Sequence, residues 1–351
     1  MPRLNDQALT TTTLRAPDLG RQTRLRLFWL CVVLGLVAIC CALSIAIGAR
    51  NVGFGDIVAA FGGATDTIEQ AAIAKRIPRT VLAALAGAAL GLAGAVMQGV
   101  TRNPLAEPGI LGVNMGAALA VVIGLAWFGL ASAQAYIWTA ILGAGLTAVF
   151  VFAIGSLGRG GPTPLKLALA GTATTIALAS FVTAVILPRN DIAEGARSWQ
   201  IGGVGGTSFA TIWQVVPFLV VGFGLCLLSA RKLNSLALGD DLAAGLGENV
   251  VLARWLASLG AVILAGATTA VCGPISFVGL LVPHICRLIV GVDHRWLLPF
   301  SALGGAILLL SSDVIGRTVA RPGELDVGIV TAFVGAPVFI WIVQRYRGRD
   351  L

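Results

Sequence analysis

Long apolar runs, separated by short clusters of charge, proline or glycine, dominate this chain. The runs are continuously apolar and rich in Leu, Ala and Gly, a pattern that indicates helices and not alternating strands. A helix that crosses the hydrocarbon core of a bilayer, about 30 Å thick, needs about 20 mostly apolar residues. We therefore predict an all-α, polytopic membrane protein of about ten transmembrane helices. The predicted spans are 27–49, 80–100, 110–130, 135–157, 167–187, 212–230, 255–272, 275–291, 296–315 and 327–344.

The composition agrees with a membrane protein, because 57% of the residues are hydrophobic and only 11% are charged. If the chain crosses the membrane once at each of the ten spans, both termini lie on one side, and most of the 24 Lys and Arg residues lie on that side as well. The positive-inside rule then predicts that both termini are cytoplasmic. The net charge of +8 needs no nucleic-acid partner, since no basic patch interleaved with aromatic residues is present.

The domain organisation follows from the same pattern. Residues 1–26 are polar and basic, and we expect a disordered cytoplasmic tail. The following run, 27–49, is longer than the apolar region of a signal peptide, which favours a retained first span. We expect one transmembrane permease domain over 27–345, with a cytoplasmic loop at about 231–254, and a short cytoplasmic tail over 346–351.

Residues suited to catalysis or metal binding are not grouped in the sequence. The six cysteines fall within or at the ends of apolar runs, where free cysteine usually packs as a small hydrophobic residue. The two histidines are not spaced with them as metal ligands. No Gly-rich loop ending in Gly-Lys-Ser or Gly-Lys-Thr is present. We predict no catalytic residues, no metal site and no cofactor in this chain.

Four long motifs occur in order along the chain. They are RIPRTVLAALAGAALGLAGAVMQGVTRNPLAEPGILGV (76–113), LALGDDLAAGLG (236–247), GPISFVGLLVPHICRL (273–288) and GELDVGIVTAFVGAPVFIW (323–341). Together they resemble the FecCD-type permease family of ABC importers, which take up ferric siderophores, haem and cobalamin. The resemblance covers nearly the whole chain from about residue 27.

The resemblance implies a type II importer membrane subunit in a bacterial plasma membrane. The expected partners are a second permease subunit, identical or paralogous, two cytoplasmic ATPase subunits and an extracytoplasmic substrate-binding protein. ATP and Mg²⁺ would bind to the ATPase. The favoured substrate is an iron(III)-siderophore complex, and cobalamin or haem is the alternative.

The resemblance also assigns roles to individual residues. Arg76, Arg79 and Arg317 match arginines that dock the binding protein. Asn103 and Leu105, in the polar turn between the second and third spans, match residues of a cytoplasmic gate. Thr163 matches a second layer of this gate. The chain departs from the family pattern at Pro164, where family members often have a hydroxyl residue. The residues that match the segment coupled to the ATPase are Leu238, Gly239, Asp240, Ala243, Leu246 and Gly247.

Two further features bear on the architecture and on the class of transporter. The segments AGAVMQGVTRNPLAEPGIL and AGATTAVCGPISFVGLL share an Ala-Gly-Ala start and a Pro-x4-Gly-x-Leu ending, which predicts an inverted internal repeat. An ion-coupled secondary transporter is the alternative of a different class. It usually carries ionisable residues deep in its helices, whereas charges here cluster at the ends of the spans.

Overall fold

A computed structural model describes residues 19–48, 52–130, 132–158 and 163–346. In these ranges the chain is helical, without strands, which confirms the all-α class. Residues 1–18 and 347–351, which include most of both predicted tails, lie outside the described residues. The predicted end of the N-terminal tail at residue 26 is too late, because a helix already begins at Leu19.

Fourteen α-helices and one 3-10 helix make up the described part of the chain. They are α1 (Leu19–Ala46), α2 (Phe54–Phe61), α3 (Ile68–Thr101), the 3-10 helix (Pro108–Leu111), α4 (Val113–Phe128), α5 (Ala133–Gly155), α6 (Pro164–Ile186), α7 (Asn190–Ile201), α8 (Phe209–Leu228), α9 (Ala230–Ala237), α10 (Asp240–Gly245), α11 (Val250–Cys272), α12 (Val278–Val290), α13 (His294–Val319) and α14 (Val327–Tyr346).

Each of the ten predicted spans corresponds to one of these helices. Seven of the described helices are long and apolar enough to cross a bilayer, namely α1, α3, α5, α6, α8, α11 and α13. The other three predicted spans are the shorter apolar helices α4, α12 and α14. The division between the seventh and eighth spans is confirmed, because α11 ends at Cys272 and α12 begins only at Val278.

Helix α3 is longer than its predicted span, which began at residue 80. Thr67 caps its first turn by accepting a hydrogen bond from the Gln70 backbone at 3.2 Å, and the Gln70 side chain accepts one from the Thr67 backbone at 3.4 Å. This capping box satisfies two backbone N–H groups that would otherwise lack partners. The 34 residues give α3 a length of about 51 Å, so that its start extends beyond the apolar core.

The centre of the fold is the antiparallel contact between α3 and α13. Glycine lets the two backbones approach closely: a Cβ added to Gly87 would lie 2.3 Å from the carbonyl oxygen of Gly305, and one added to Gly91 would lie 2.2 Å from that of Ser301. Such close approach is the usual role of small residues between membrane helices. The Gly-rich stretch of α3 therefore serves helix packing.

Three short helices were not predicted as such. Helix α2 follows the first span, α9 precedes the predicted coupling segment, and α7 lies between the predicted fifth and sixth spans. Helix α7 is polar over much of its length, so a search for apolar runs passes over it. The inverted repeat remains a prediction, although its two Pro-x4-Gly-x-Leu elements meet: a Cβ on Gly279 would lie 3.5 Å from the ring of Pro108.

Candidate functional sites at the two ends of the bundle

Polar and charged side chains collect at two opposite ends of the helices. We call the end that holds Arg76, Arg79 and Arg317 the Arg79 end, and the end that holds Arg102, Asp240 and Arg254 the Asp240 end. Helix α3 begins at the Arg79 end and finishes at the Asp240 end. The predicted docking residues therefore lie at one end, and the predicted gate turn and coupling residues lie at the other.

At the Arg79 end, two of the three predicted docking arginines bind the end of α1. Arg76 donates hydrogen bonds to the carbonyl oxygens of Ile45 and Ala46, both at 3.1 Å. Arg317, only 1% exposed, donates to the Ser44 carbonyl oxygen at 3.1 Å and to its hydroxyl at 2.9 Å. The last carbonyl groups of a helix lack intrahelical donors and carry partial negative charge, so cations stabilise them.

The third predicted docking residue, Arg79, joins two carboxylates of different exposure. It contacts Asp313 of α13 at 2.8 Å and Glu324, in the connection between α13 and α14, at 2.6 Å. Asp313 is 1% exposed and also contacts Arg317 at 2.8 Å, whereas Glu324 is 42% exposed. The buried carboxylate thus lies between two guanidinium groups, as burial of charge requires.

A cavity of about 470 Å³ opens at this end, lined by all three arginines and by the exposed Lys75. Glu324 is the acidic residue in its lining. The three arginines predicted from sequence are therefore brought together in one cationic pocket. Lys75, which the sequence analysis did not select, adds a fourth positive charge and is more accessible than Arg76 or Arg317.

At the Asp240 end, the predicted gate turn follows directly after α3. Arg102 ends the helix with a left-handed conformation, at a φ of 49°, and Pro104 prevents the helix from continuing. The Asn103 side chain accepts a hydrogen bond from the Leu105 backbone at 2.9 Å, which closes an Asx turn and leaves the Leu105 side chain exposed. Asn103 is thus used in holding the shape of the turn.

Glu107 lies at the far end of this turn, directly before the 3-10 helix. Burial raises the pKa of the Glu107 carboxyl above its usual value, and the backbone of Phe277, immediately before α12, offsets part of that increase. The sequence analysis noted Glu107 only as an interruption between apolar runs.

The third predicted gate residue, Thr163, starts α6. Its hydroxyl accepts a hydrogen bond from the Lys166 backbone at 3.3 Å, and Pro164 follows in the first helical turn. A Thr cap followed by Pro is a favourable helix start. No hydrogen bond in the described ranges joins Thr163 to Asn103 or Leu105, but α6 packs against the 3-10 helix that follows their turn.

The predicted coupling residues lie on α10 and its two flanking turns. Gly239 and Gly247 adopt positive φ values of 113° and 86°, which side chains disfavour, so glycine is required at both turns. Leu238 and Leu246 are exposed, and so is Leu242 between them. Ala243 is fully buried in the core of this chain, so it contributes to fixing α10 and not to the exposed surface.

Asp240 makes ion pairs at two long helices, one distant in sequence and the other next along the chain. It contacts Arg102 at the end of α3, and Arg254 of α11 at 2.9 Å. The two arginines and Leu242 were not selected from the sequence. The apolar spacing of Leu238, Leu242 and Leu246, at every fourth residue, was the available signal for Leu242.

Comparison with known proteins identifies relatives along nearly the whole chain. A model of the FecCD transport family matches residues 36–345. The chain is 44% identical to the ferric enterobactin transport system permease protein FepD of Escherichia coli (strain K12) over 88% of this chain and 93% of that protein. It is 41% identical to the probable siderophore transport system permease protein YfiZ of Bacillus subtilis (strain 168), over 90% of this chain and 95% of that protein.

Solved structures give the same result. An inward-facing structure described as a metal-chelate type ABC transporter superposes with a TM-score of 0.78 and 27% identity, over 92% of this chain and 99% of that chain. The family model, the relatives and the solved structure each match most of the length of this chain. The chain therefore belongs to the FecCD transport family.

Proposed function

We propose that this chain is the membrane-spanning permease subunit of an ABC importer that moves an iron(III)-siderophore complex inward. The observation that carries the proposal is the 44% identity, over 88% of the chain, with a permease named for ferric enterobactin. A second permease subunit would complete the pathway. The ATPase subunits would bind ATP and Mg²⁺, and a binding protein would deliver the substrate.

Reconstitution in proteoliposomes tests this function. With its ATPase and binding protein, the chain should accumulate radioactive iron from ferric siderophores only when ATP is present on the ATPase side. Ferric catecholate, ferric hydroxamate, ferric citrate, haem and cobalamin are compared in parallel. Uptake of only haem or cobalamin would favour the alternative substrates, and uptake driven by an ion gradient without ATP would contradict an ABC importer.

The orientation we propose places the Asp240 end in the cytoplasm and the Arg79 end outside, with both termini cytoplasmic. A cysteine introduced at Lys75 should then react with a membrane-impermeant maleimide added to intact cells or spheroplasts. A cysteine introduced at Leu242 should react only after permeabilisation. The reverse labelling pattern would contradict this orientation.

We propose that the cationic pocket at the Arg79 end receives acidic side chains of the binding protein. The pocket combines Arg76, Arg79 and Arg317 with the exposed Lys75, and opposite charges of this kind mainly increase association rates and set orientation. Lys75→Glu should slow association of the binding protein, most strongly at low salt. Arg197→Glu is the matched control, because it makes the same charge change on the exposed side of α7 at the same end.

Equal association rates for the two variants would argue against this docking site. Substitution of Arg317 is less informative, because its guanidinium is buried against Asp313 and Ser44. A Glu at position 317 would place a second carboxylate beside Asp313, and any loss of docking would be confounded with loss of folding.

We propose that the exposed leucines around α10 contact the ATPase subunit. Leu238, Leu242 and Leu246 are each more than half exposed, on a segment that two positive-φ glycines hold in place. Leu242→Glu should prevent co-purification of the ATPase while leaving insertion of the chain intact. Ala244→Glu, also exposed on α10 but with a much smaller apolar side chain, should have less effect. Full co-purification with Leu242→Glu would contradict the proposal.

We propose that the turn carrying Asn103 and Leu105, with Thr163 at the start of α6, closes the inner mouth of the pathway. An exposed Leu beside a polar residue suits a constriction that excludes water and ions yet opens by rigid-body movement of subunits.

A further inference from the structure

The short helices α9 and α10 are attached to three long helices of the bundle. On α9, Asn234 donates a hydrogen bond to Asp293 at 2.7 Å and accepts one from the His294 backbone at 2.9 Å, which joins α9 to the start of α13. Leu233 and Leu236, also on α9, are fully buried. The segment is therefore packed against the bundle and is not a free loop.

Asp240 provides the other two attachments. Its carboxylate contacts Arg102 at the end of α3 and, at 2.9 Å, Arg254 of α11. Arg102 is the last residue before the turn that contains Asn103 and Leu105, and its left-handed backbone conformation begins that turn. The Asp240 carboxylate on α10 thus contacts Arg102, whose backbone conformation sets the direction of the turn.

We infer that Asp240 is a positioning residue for transport, through which a displacement of α10 is passed to the turn after α3. The inference rests on the proposed function, because it needs the ATPase to move α10. When α10 shifts, the charge-assisted contact draws Arg102 with it, and the rigid Asx turn carries Asn103 and Leu105 along. The contact to Arg254 lets α11 move with α3, so both helices respond to one carboxylate.

A purely structural role is the competing explanation, and exposure decides between the two. Asp240 has a side-chain exposure of 46%, Arg102 of 33% and Arg254 of 12%. The exposed pair with Arg102 contributes little to folding stability. Asn at position 240 keeps a side-chain oxygen that can accept a hydrogen bond from the less exposed Arg254, so Asp240→Asn should leave a folded, inserted chain. The effect should appear in the coupling between hydrolysis and transport.

The test compares Asp240→Asn with Asp241→Asn in the reconstituted complex of permease, ATPase and binding protein. Asp241 is the adjacent residue, is exposed and forms no ion pair among the described residues. The readout is the number of substrate molecules transported per ATP hydrolysed, measured together with co-purification of the ATPase. Asp240→Asn should keep the ATPase bound and hydrolysing, while the transport ratio falls about 5-fold or more, as expected for loss of coupling between two sites. Asp241→Asn and Asp240→Glu should behave like the parent.

A double-mutant cycle tests whether the contact of Asp240 with Arg102, and not its contact with Arg254, carries the effect. If Arg102 and Asp240 act through their contact, Arg102→Gln should lower the transport ratio as Asp240→Asn does, and the double variant should be no worse than either single variant. An unchanged ratio in Asp240→Asn, or fully additive losses in the double variant, would overturn the inference.

Loss of the ATPase itself from Asp240→Asn would also overturn it, because Asp240 would then be a docking contact. That result would leave the proposed importer function standing. Failure of the parent complex to transport with ATP would instead contradict the proposed function.

Discussion

Replacing Asp313 by Asn should destabilise the chain far more than replacing Glu324 by Gln. Both carboxylates pair with the same guanidinium, that of Arg79, at 2.8 Å and 2.6 Å. Each substitution removes one negative charge and preserves the shape of the side chain. The two sites differ in burial, because Asp313 is 1% exposed and Glu324 is 42% exposed.

The magnitude follows from what each substitution leaves behind. Removing one partner of a buried ion pair costs about 3 to 5 kcal/mol, since the remaining charge is buried without compensation. Arg317 would keep its two hydrogen bonds to Ser44, which favours the lower part of that range. We therefore expect a loss of about 3 kcal/mol in the free energy of unfolding for Asp313→Asn. For the exposed pair of Glu324 we expect about 0 to 1 kcal/mol.

Equilibrium unfolding of the purified chain in mixed micelles, followed by tryptophan fluorescence, measures both values. The binding protein is omitted, so that docking cannot contribute to the signal. The expected difference of about 2 kcal/mol corresponds to roughly a 30-fold change in the unfolding equilibrium. Equal losses for the two variants, or a larger loss for Glu324→Gln, would refute the view that Asp313 is the buried centre of this cluster.

Three other changes test separate parts of the structure. Asn103→Ala combined with Leu105→Ala should leave assembly intact but raise substrate leak through the ATP-free complex in proteoliposomes; a double variant as tight as the parent would mean that the turn is only a connection. Gly94→Leu should lower the free energy of unfolding by about 3 kcal/mol or more, because even a Cβ at this position would lie 2.0 Å from the carbonyl oxygen of Gly279 in α12. Gly145→Leu is the control and should be tolerated, because no atom lies within 4 Å of a Cβ added there. Burial alone would raise the pKa of Asp293, but hydrogen bonds from Asn234 and the Arg295 backbone, with the charges of Arg295 and Arg26, together hold this pKa below its usual value. The contribution of Asp293 to stability should be complete above about pH 4 and lost as the pH falls through the lowered pKa. Asp293→Asn should lack this acid-dependent loss in unfolding experiments.

The positions of the spans could be predicted because lipid imposes a simple rule on long apolar runs. The rule fails at the ends of helices, where polar residues occur. Helix α13 was predicted to end at 315, but Arg317 is buried by its pairing with Asp313 and the helix continues to Val319. Helix α3 was predicted to start at 80, although Thr67 and Gln70 form the Thr-x-x-Gln signal of a capping box.

The candidate sites could be predicted only in part. The gate turn was recognisable, because Asn103 and Pro104 are local turn residues. Contacts between distant residues were not, since Arg102 and Asp240 are separated by 138 positions and meet only after α3 and α10 have packed. The burial of Ala243 could not be predicted either. A small residue is compatible both with an exposed contact to another subunit and with a tightly packed position in the core, so its type does not distinguish the two.

The geometry of α3 explains how the two ends of the bundle can act together. Arg79 lies in α3 and Arg102 directly follows its last residue. The two are 23 residues apart, which corresponds to about 35 Å along the helix axis. That length exceeds the apolar core of a bilayer, so the two residues reach opposite sides. The close glycine contacts between α3 and α13 leave little room for either helix to bend alone. Ion pairs join the same two helices at the Arg79 end, and α9 with α10 holds both at the Asp240 end. A force on α10 should therefore move α3 and α13 as one body, which is the kind of motion that alternating access requires.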